Sequence, residues 1–552
     1  MRYYNLLILS IISIIIILTV GEFGKAQLPS LQNENVLFVD VTKDTGIQFL
    51  DENGENGKKY FIEPLGRGLA LFDYDNDGDL DLYLVNGCNL PIEKSDKHPK
   101  NILYRNDDGV YIDVTNVASV GDTGYGLGCC AGDYNNDGYI DLYVTNYGKN
   151  ILYKNNGDGT FSDVTDETGV GGNELSSGCA FFDYDADGHL DLYVVNYVQF
   201  DIDANPVCTR KGVPTYCTPE ALDAEADILY QNSGNGTFTD VTQIAGITAP
   251  AGKGLGVVCG DIDNDEDVDV FVANDTTPNF LYINQGNGKF TEDALFAGVA
   301  LSEDGRAFSG MGANLGDYDN DGFLDIVITN FQDQVNNIYK NAHNGFFNDV
   351  SFLTGIGEKS LPYLAWGVDF VDFNNDGWLD LFVCNGHLDD NIAEIDPVGT
   401  YSQPNHIFWN NLNSTFEMTE VGISHKVSRG AAFGDIDNDG DIDIVVANLK
   451  DTPTVLRNNG GNSNNWLSVK LIGKHCARDA IGARVSVTTG DSTQIREVKS
   501  GSGYLSQNDM RLHFGLADID TIDSLTVKWI CGHVETFKNI HSNQMIVIKE
   551  TR

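Results

Sequence analysis

Basic residues are scarce in this 552-residue sequence, in which 34 Lys and Arg stand against 81 Asp and Glu for a formal net charge of −47. Such a chain offers no basic face to a phosphate backbone, so we expect no nucleic-acid partner. The sequence also has no HExxH, GxSxG or P-loop pattern, and no CxxC or CxxCH. The corresponding hydrolase, nucleotide-binding, redox and haem functions therefore have no support.

Long apolar runs are rare as well. One run, Leu6–Val20, follows Arg2 and precedes Gly24, Lys25 and Ala26. This order is typical of an export signal and predicts a signal peptide over residues 1–26, cleaved near Ala26. A bilayer span needs about 20 residues, so an uncleaved anchor is the less favoured alternative. We expect a secreted, periplasmic or cell-surface protein without a membrane span in its mature chain.

The acidic residues are concentrated in a nine-residue loop that occurs seven times. The first copy contains Asp73, Asp75, Asp77, Gly78 and Asp81, and the other copies begin at Asp133, Asp183, Asp261, Asp317, Asp372 and Asp435. Oxygen side chains at positions 1, 3, 5 and 9 can converge on one hard cation, position 7 can add a backbone carbonyl, and Gly at position 6 permits the sharp turn. The pattern predicts up to seven Ca²⁺ sites.

The predicted ligands are taken from positions 1, 3, 5, 7 and 9 of each loop. They are Asp73, Asp75, Asp77, Asp79, Asp81; Asp133, Asn135, Asp137, Tyr139, Asp141; Asp183, Asp185, Asp187, His189, Asp191; Asp261, Asp263, Asp265, Asp267, Asp269; Asp317, Asp319, Asp321, Phe323, Asp325; Asp372, Asn374, Asp376, Trp378, Asp380; and Asp435, Asp437, Asp439, Asp441, Asp443.

Three of these loops depart from the pattern, and two other interpretations of the loops remain. Glu266 replaces the glycine of the fourth loop, so the site at Asp261 is doubtful, and Asn135 and Asn374 remove one carboxylate each. An EF-hand would need Glu at position 12 and flanking helices, which this sequence does not provide. Magnesium and metal-free acidic turns are the remaining alternatives, and calcium is preferred because Mg²⁺ demands tighter geometry.

Two further phrases repeat with the loop and predict the fold. One is Phe-x-Asp-Val-Thr, first at Phe38–Thr42, and the other is an apolar pair followed by an aromatic residue, as in Ile102–Tyr104. Each unit therefore supplies four short strands, which predicts an all-β, seven-bladed β-propeller over residues 36–462. The last unit lacks the first phrase, so we expect Phe38–Thr42 to provide its outer strand and close the ring.

The expected propeller separates the loops onto two faces. The acidic loops join strands 1 and 2, whereas the longest connections, 87–100, 197–227 and 386–406, lie opposite and are the better binding candidates. Six residues before the first Asp of three neighbouring units stand Arg67, Arg429 and Trp366. They are candidates for an anionic-glycan site in the channel, although pairing of the arginines with local carboxylates is the favoured interpretation.

The composition becomes neutral in the last part of the chain, where residues 465–552 hold 11 Lys and Arg against 9 Asp and Glu. Six β-rich runs predict a small β-sandwich-like domain over residues 465–550. Ten cysteines fit an oxidising compartment. Cys208 with Cys217 and Cys476 with Cys531 are the favoured disulfide pairs, and Cys129, Cys130, Cys179 and Cys259 are expected to be small buried apolar residues.

The repeats and the C-terminal segment together resemble known families. The acidic loop with its flanking strands resembles the FG-GAP/VCBS repeat of integrin α-subunit propellers. The segments Asp479–Val485, Ser500–Gln507 and Leu512–Leu516 resemble the ASPIC/UnbV domain of the cartilage acidic protein family. This resemblance implies an extracellular, calcium-loaded propeller with an adhesion or matrix role. There is no Arg-Gly-Asp sequence to support an integrin-ligand role through that tripeptide.

Two classes of function remain open from the sequence. The favoured class is a secreted calcium-binding module for adhesion or for binding an extracellular glycan or protein. The alternative is an enzyme, a polysaccharide lyase or hydrolase acting on the face opposite the calcium loops. Scattered histidines such as His189 and His387 give no cluster that would favour catalysis.

Overall fold

The computed structural model describes residues 38–92 and 99–551. The predicted signal peptide, residues 1–26, lies outside the described residues. Within the described part of the chain, no helix is long and apolar enough to cross a membrane.

Seven four-stranded antiparallel sheets are formed by the described residues up to Asn458. Their strands are β1 (Phe38–Asp40), β2 (Leu69–Phe72), β3 (Asp81–Leu84), β4 (Ile102–Asp107), β5 (Val110–Asp113), β6 (Tyr125–Gly132), β7 (Asp141–Tyr147), β8 (Ile151–Asn155), β9 (Phe161–Asp163), β10 (Ser176–Phe182), β11 (Asp191–Asn196), β12 (Cys208–Arg210), β13 (Val213–Thr215), β14 (Ile228–Asn232), β15 (Phe238–Asp240), β16 (Gly254–Gly260), β17 (Asp269–Asn274), β18 (Phe280–Asn284), β19 (Phe290–Glu292), β20 (Ala313–Gly316), β21 (Asp325–Ile328), β22 (Asn337–Asn341), β23 (Phe347–Asp349), β24 (Ala365–Val371), β25 (Asp380–Asn385), β26 (Gln403–Asn410), β27 (Phe416–Lys426), β28 (Ser428–Gly434), β29 (Asp443–Asn448) and β30 (Thr454–Asn458). Strands β12 and β13 form a separate hairpin inside the third repeat.

The first strands of the seven sheets line a central channel. They contact one another in the cyclic order β2, β6, β10, β16, β20, β24, β28 and back to β2. Every residue of these strands is buried. The all-β propeller class predicted from the repeat is confirmed.

The ring is closed by the N-terminal strand. β1 pairs antiparallel with β30, with Phe38 opposite Asn458 and Asp40 opposite Leu456, so the last sheet has the order β1-β30-β29-β28. This pairing confirms the prediction that the first Phe-x-Asp-Val-Thr phrase completes the last unit. The two ends of the propeller are therefore joined by backbone hydrogen bonds rather than by side-chain packing alone.

An asparagine at the end of each third strand links neighbouring sheets. Its amide nitrogen donates to the backbone carbonyl at loop position 2 of the preceding sheet, as Asn155 does to Tyr74 at 2.7 Å. The same bond is made by Asn106, Asn232, Asn284, Asn341, Asn410 and Asn458. The acidic loops are thus fixed to their neighbours all the way round the ring.

Short helices follow the outer strands. They are α1 (Thr115–Ala118), α2 (Thr165–Thr168), α3 (Thr242–Ala245), α4 (Ala294–Ala297), α5 (Ser351–Thr354) and α6 (Ile356–Ser360), and α7 (Ile392–Ile395) lies in a later loop. The Phe-x-Asp-Val-Thr phrase explains their position, because its Asp accepts the N–H of the residue two positions on. Asp163 accepts from Thr165 at 3.0 Å, for example, and starts α2.

The C-terminal domain contains seven strands in two sheets. They are β31 (Asn465–Ile472), β32 (Arg484–Thr489), β33 (Ser492–Glu497), β34 (Leu512–Ala517), β35 (Thr521–Lys528), β36 (Val534–His541) and β37 (Gln544–Lys549). The sheet orders are β34-β31-β37 and β33-β32-β35-β36. The sequence predicted six of these strands and missed β36, whose Lys538, Asn539 and His541 mask its alternating pattern.

Both predicted disulfides are present. Cys208 and Cys217 close the β12–β13 hairpin, with their Cα atoms 5.2 Å apart. Cys476 and Cys531, with Cα atoms 5.6 Å apart, connect the two sheets' ends in the C-terminal domain. The other cysteines are buried thiols, as expected for Cys129, Cys130, Cys179 and Cys259.

Candidate metal centres and the channel beside them

Hydrogen bonds from its own backbone N–H groups fix the conformation of each acidic loop. In the third loop, Asp183 accepts the N–H groups of Asp187 and Gly188 at 3.1 and 2.9 Å. Asp187 in turn accepts the N–H of His189 at 2.9 Å. Gly188 has φ of 87°, in the left-handed region that the predicted glycine position requires. These bonds direct the carboxylates inward instead of into solvent.

The carboxylates of several loops converge. In the first, third and fifth loops, oxygens from positions 1, 3 and 9 lie within 4.8 Å of one another; the sets are Asp73, Asp75 and Asp81, then Asp183, Asp185 and Asp191, then Asp317, Asp319 and Asp325. The spacing is that of ligands around one small cation. An all-oxygen set of this kind suits a hard divalent ion.

Several oxygens in these clusters are buried without a hydrogen-bond partner among the described residues. They are Asp73 Oδ1, Asp75 Oδ1, Asp185 Oδ1, Asp319 Oδ1 and Asp325 Oδ2. A buried acceptor without a partner costs free energy, and several on neighbouring carboxylates also repel one another. The residues present therefore fit a bound divalent cation, which would satisfy the free oxygens and cancel the repulsion.

Protons are the other way to relieve this repulsion. Burial, reinforced by the neighbouring Asp75 and Asp73 carboxylates, raises the pKa of Asp81 to about 8. Burial and the neighbouring loop carboxylates raise the pKa of Asp183 to about 7. Without a cation, these groups therefore hold protons at a pH where an ordinary aspartate is ionised.

The fourth loop differs from the others in the way its sequence predicted. Glu266 has φ of 76°, which is strained for a residue with a side chain. Its converging set is Asp261, Asp263 and Asp265, without the position 9 carboxylate that the other sets use. Arg484 also reaches this loop, with Nη2 3.5 Å from the Asp261 carboxylate and 2.6 Å from its carbonyl oxygen.

The second and sixth loops carry an asparagine at position 3, where the others have an aspartate. Asn135 Nδ2 donates to Asp141 at 3.2 Å, and Asn374 Nδ2 donates to Asp376 at 2.9 Å. In this arrangement the amide donates a hydrogen bond to one loop carboxylate and so reduces the repulsion between the loop carboxylates. The prediction that these loops have fewer charged ligands follows directly from their composition, and their relative affinities remain predictions.

The C-terminal domain covers the face that carries the acidic loops, which the sequence did not predict. Its contacts reach separate loops: Lys470 lies 3.4 Å from Asp73, Asp479 accepts the N–H of Asp133 at 2.7 Å, and Arg511 donates to the Asp435 carbonyl at 3.0 Å. The charge contrast between this segment and the rest of the chain could have indicated the contact, because its cations face the most acidic part of the propeller.

A cavity of about 310 Å³ lies between this domain and the first two loops. Asp73 and Asp133 line it from the propeller, and Lys470, Arg478 and Met545 line it from the C-terminal domain. The face with the acidic loops is therefore recessed as well as covered. The sequence had favoured the opposite face for ligand binding and predicted only metal sites on this one.

The segment Ser500–Gln507 of the C-terminal domain enters the central channel and bonds to the first strands. Gln507 exchanges backbone bonds with β2, at 2.9 Å to Leu69 and 3.0 Å from Leu71, and Gly503 exchanges 3.0 Å bonds with Ala313 of β20. A Cβ on Gly68 would lie 1.6 Å from the Leu505 carbonyl, so glycine is required for this approach. We call Ser500–Gln507 the channel segment.

The three residues predicted to bind an anionic glycan do come together, but they are not accessible. Arg67, Arg429 and Trp366 are each at most 2% exposed. Arg429 lies 4.0 Å from the Trp366 ring. Tyr504 of the channel segment packs edge-on against the same ring, with centroids 5.0 Å apart.

Local groups surround both guanidinium groups, although Arg67 Nε and Nη2 make no hydrogen bond among the described residues. Arg429 donates to the carbonyl oxygens of Pro64, Gly386 and Ser428 at 2.8, 3.1 and 2.9 Å. Arg67 Nε lies 3.8 Å from Asp51, and its guanidinium lies over the Tyr125 ring at 4.3 Å. The prediction of an open glycan site at these residues is wrong, because the channel segment fills the space and local acceptors take the charge.

On the opposite face, loops from several sheets meet and cover the far end of the channel. Tyr216 of the disulfide-closed hairpin donates to Glu63 at 2.7 Å, and its N–H bonds to Asp389 at 3.0 Å. Asn391 donates to the Pro214 carbonyl at 3.0 Å. The connections 197–227 and 386–406 thus form one continuous surface with Glu63, which we call the loop platform.

Comparison with known families defines the class of this propeller. The model of the FG-GAP-like repeat matches residues 73–144, 133–194, 221–272, 261–328, 317–383 and 392–446, which is more than half of the chain. The chain therefore belongs to the FG-GAP-like repeat family. A model named ASPIC and UnbV matches residues 473–552, the C-terminal domain.

Individual relatives agree with this assignment. The chain is 30% identical to mouse Cartilage acidic protein 1 over 357 residues, 60% of this chain and 49% of the relative. It is 29% identical to the human protein over 355 residues, 60% and 48% of the two chains. The chain thus spans about half the length of the curated relatives it matches.

Two solved structures show a weaker likeness. One is an Agrocybe aegerita lectin described as recognising non-reducing terminal N-acetylglucosamine, with a TM-score of 0.38, 14% identity and coverage of 70% of this chain and 87% of the lectin. The other is BBS1N in complex with ARL6DN, with a TM-score of 0.41, 9% identity and coverage of 76% and 96%.

Proposed function

We propose that this protein is a secreted, calcium-held β-propeller that acts as an adhesion or ligand-binding module. The observation that carries the proposal is the convergence of aspartate oxygens in successive loops, including buried oxygens without partners at Asp73, Asp75 and Asp185. Without a cation, such clusters would destabilise the fold through repulsion between their carboxylates. Outside a cell, calcium is abundant enough to occupy even weak sites and remove that repulsion.

The role of calcium in this proposal is structural. Each ion would bind the carboxylates of one loop and so hold the first and second strands of that sheet together. Because the asparagine bonds and the C-terminal domain connect the loops, order in one loop supports its neighbours. The chain would then remain compact despite its net charge of −47.

The loop platform is the surface we assign to the ligand. It consists of two of the longest connections, 197–227 and 386–406, and the Cys208–Cys217 disulfide and the Tyr216–Glu63 bond fix its shape. Rigid, elaborated loops on a stable scaffold commonly carry binding function. An extracellular glycan or protein is the expected ligand class. The alternative of a polysaccharide lyase or hydrolase on the same face also stays a proposal.

Native mass spectrometry and calorimetry test the calcium proposal. We expect several Ca²⁺ ions to bind the full chain in millimolar calcium, and Asp75→Asn to lose one of them. Asp491→Asn is the matched control, because Asp491 is exposed and outside the loops. A chain that stays folded with no bound metal under these conditions would contradict the proposal.

A glycan array and a turnover assay separate the two functional classes. We expect calcium-dependent retention of a glycan or protein ligand, reduced when the platform disulfide is removed by Cys208→Ser and Cys217→Ser together. Incubation with polyuronates should give no unsaturated product. Accumulation of such product would favour the enzyme alternative over the binding module.

A further inference from the structure

Large apolar side chains are exposed on the outer rim of the propeller, at the short helices of two successive repeats. α4 exposes Leu295 and Phe296, the latter by 68%, and α5 exposes Phe352 and Leu353, the latter by 80%. Phe346, in the turn before β23, is also exposed. We call Leu295, Phe296, Phe346, Phe352 and Leu353 the rim patch.

The repeat itself shows that the fold does not require these apolar residues. The second and third positions of α2 are Asp166 and Glu167, whereas the same positions of α4 are Leu295 and Phe296. The helices share their left-handed C-cap and the buried residues at their first and last positions. The exposed positions are therefore free to vary, and an apolar pair there needs an explanation other than folding.

The patch crosses from one sheet to the next. The Phe296 ring centroid lies 4.9 Å from that of Phe346, which belongs to the following repeat. A Cβ on Gly298, the C-cap of α4, would lie 3.3 Å from the Phe347 carbonyl, so the helix rests on β23. Exposed apolar side chains of two successive repeats are therefore in contact at the rim.

The charges beside the patch are mainly negative. Glu292 and Asp293 precede α4, Asp349 precedes α5, and Glu358 lies on the next helix. The nearby lysines, Lys289 and Lys359, donate to the backbone carbonyls of Ile244 and Phe416. An anionic membrane would be repelled by this rim, and a second copy of so acidic a chain would be repelled as well.

We propose that the rim patch is the docking surface for a basic amphipathic segment of another protein. The apolar side chains would bury the apolar stripe of the segment, and the flanking carboxylates would meet its Lys and Arg. This is recognition of a helix by an exposed apolar surface with complementary charge at its edge. It uses the rim and is independent of both the metal loops and the loop platform.

The probe is a fluorescein-labelled 14-residue Leu/Lys amphipathic helix, with affinity measured by anisotropy at physiological salt. The test variant is Leu295→Asp/Phe296→Glu/Phe352→Asp/Leu353→Glu, which copies the α2 pair onto α4 and α5. We expect affinity to fall by about tenfold or more, because the apolar contact is lost. If attraction to negative charge alone held the probe, the four added charges would tighten binding instead.

A second variant and a control separate the remaining causes. Leu295→Asn/Phe296→Gln/Phe352→Asn/Leu353→Gln should weaken the probe without adding charge, and it serves if the acidic variant does not fold. Val117→Asp, at the equivalent exposed position of α1, should leave affinity within about twofold. Unchanged or tighter binding by the patch variants overturns the proposal. Patch-dependent vesicle binding or self-association would overturn it too, since the occupant would then be different.

Discussion

The two ends of the propeller channel both contain buried charge, and they deal with it in different ways. At one end, Arg429 is fully buried, yet its guanidinium donates to backbone carbonyls and lies over the Trp366 ring. At the other end, the loop aspartates face each other and keep oxygens without partners. A buried charge is therefore informative about a ligand only after its internal partners have been counted.

The difference follows from what each group can find nearby. A guanidinium has five donors, and a folded chain offers many carbonyl acceptors, so an arginine can be satisfied wherever loops close around it. A cluster of carboxylates needs donors or cations, and the loop backbone supplies N–H groups for only some of the oxygens. The loop end keeps several carboxylate oxygens without donors, whereas at the arginine end Arg429 is satisfied and only Arg67 Nε, Arg67 Nη2 and Asp51 Oδ1 lack a hydrogen bond among the described residues.

Opening the ring should disrupt both ends of the channel together. We expect this change to cause the largest loss of stability. A chain that begins at Tyr60 lacks β1, so β30 loses its backbone partner and the last sheet loses its link to the N-terminus. We expect the cooperative melting transition to move far down or to disappear in differential scanning calorimetry. An unchanged Tm would show that β1 is dispensable and that closure by this strand is unimportant.

Removing calcium should affect the loop end alone. One site at tenfold excess over its dissociation constant contributes about 1.4 kcal/mol to stability. Several sites together should then raise the Tm by about 10 °C between EDTA and millimolar calcium. Magnesium at the same concentration is the control and should raise the Tm less. Equal melting in EDTA and calcium would contradict the comparison of the two ends.

The free energy of unfolding with and without calcium should also depend on pH. Burial raises the pKa of Asp81 to about 8 and that of Asp133 to about 7, so the folded chain without metal binds protons more tightly than the unfolded chain does. Stability without metal should therefore be greatest below the ordinary aspartate pKa and should fall as pH rises through about 7 to 8. With calcium present, lowering the pH should weaken metal binding instead. Urea titrations at pH 5 and 8, with and without EDTA, measure both slopes.

Changing the channel segment should affect the arginine end. Tyr504 is fully buried, and its hydroxyl donates to the Leu65 carbonyl at 2.9 Å. Tyr504→Ala should cost about 3–5 kcal/mol, and Tyr504→Phe should cost about 1 kcal/mol, because it removes only the hydrogen bond. Urea denaturation in millimolar calcium gives both values. Equal stability of the alanine and phenylalanine variants would mean that Tyr504 does not fill the channel.

The fourth loop offers the smallest and most selective change. Glu266→Gly relieves the strain at φ of 76° and removes only the exposed Lys528–Glu266 pair. We expect a gain of about 1 kcal/mol in the free energy of unfolding. The matched reversal is Gly322→Glu at φ of 87° in the fifth loop, which should lose about the same amount. A destabilised Glu266→Gly variant would show that the glutamate is preferred there.

The sequence by itself determined the repeat and everything that depends on local spacing. Nine residues with acids at alternate positions dictate the loop, and the Asp of the Phe-x-Asp-Val-Thr phrase fixes the turn into the following helix, as Asp163 does by accepting the N–H of Thr165. The absence of that phrase from the last unit even located β1 in the final sheet. Both disulfides could be inferred because each pair lies within a single segment of the chain.

Only the tertiary structure decided where the C-terminal domain lies and which charges are satisfied. No local pattern shows that Ser500–Gln507 enters the channel, because its bonds to Leu69 and Ala313 exist only when the ring is closed. For the same reason, aligning the repeats on their first Asp correctly predicted that Arg67, Arg429 and Trp366 come together, but it could not show that Tyr504 packs against them. Spacing along the chain fixes which groups can meet, whereas burial and partners are set by the packing of distant segments.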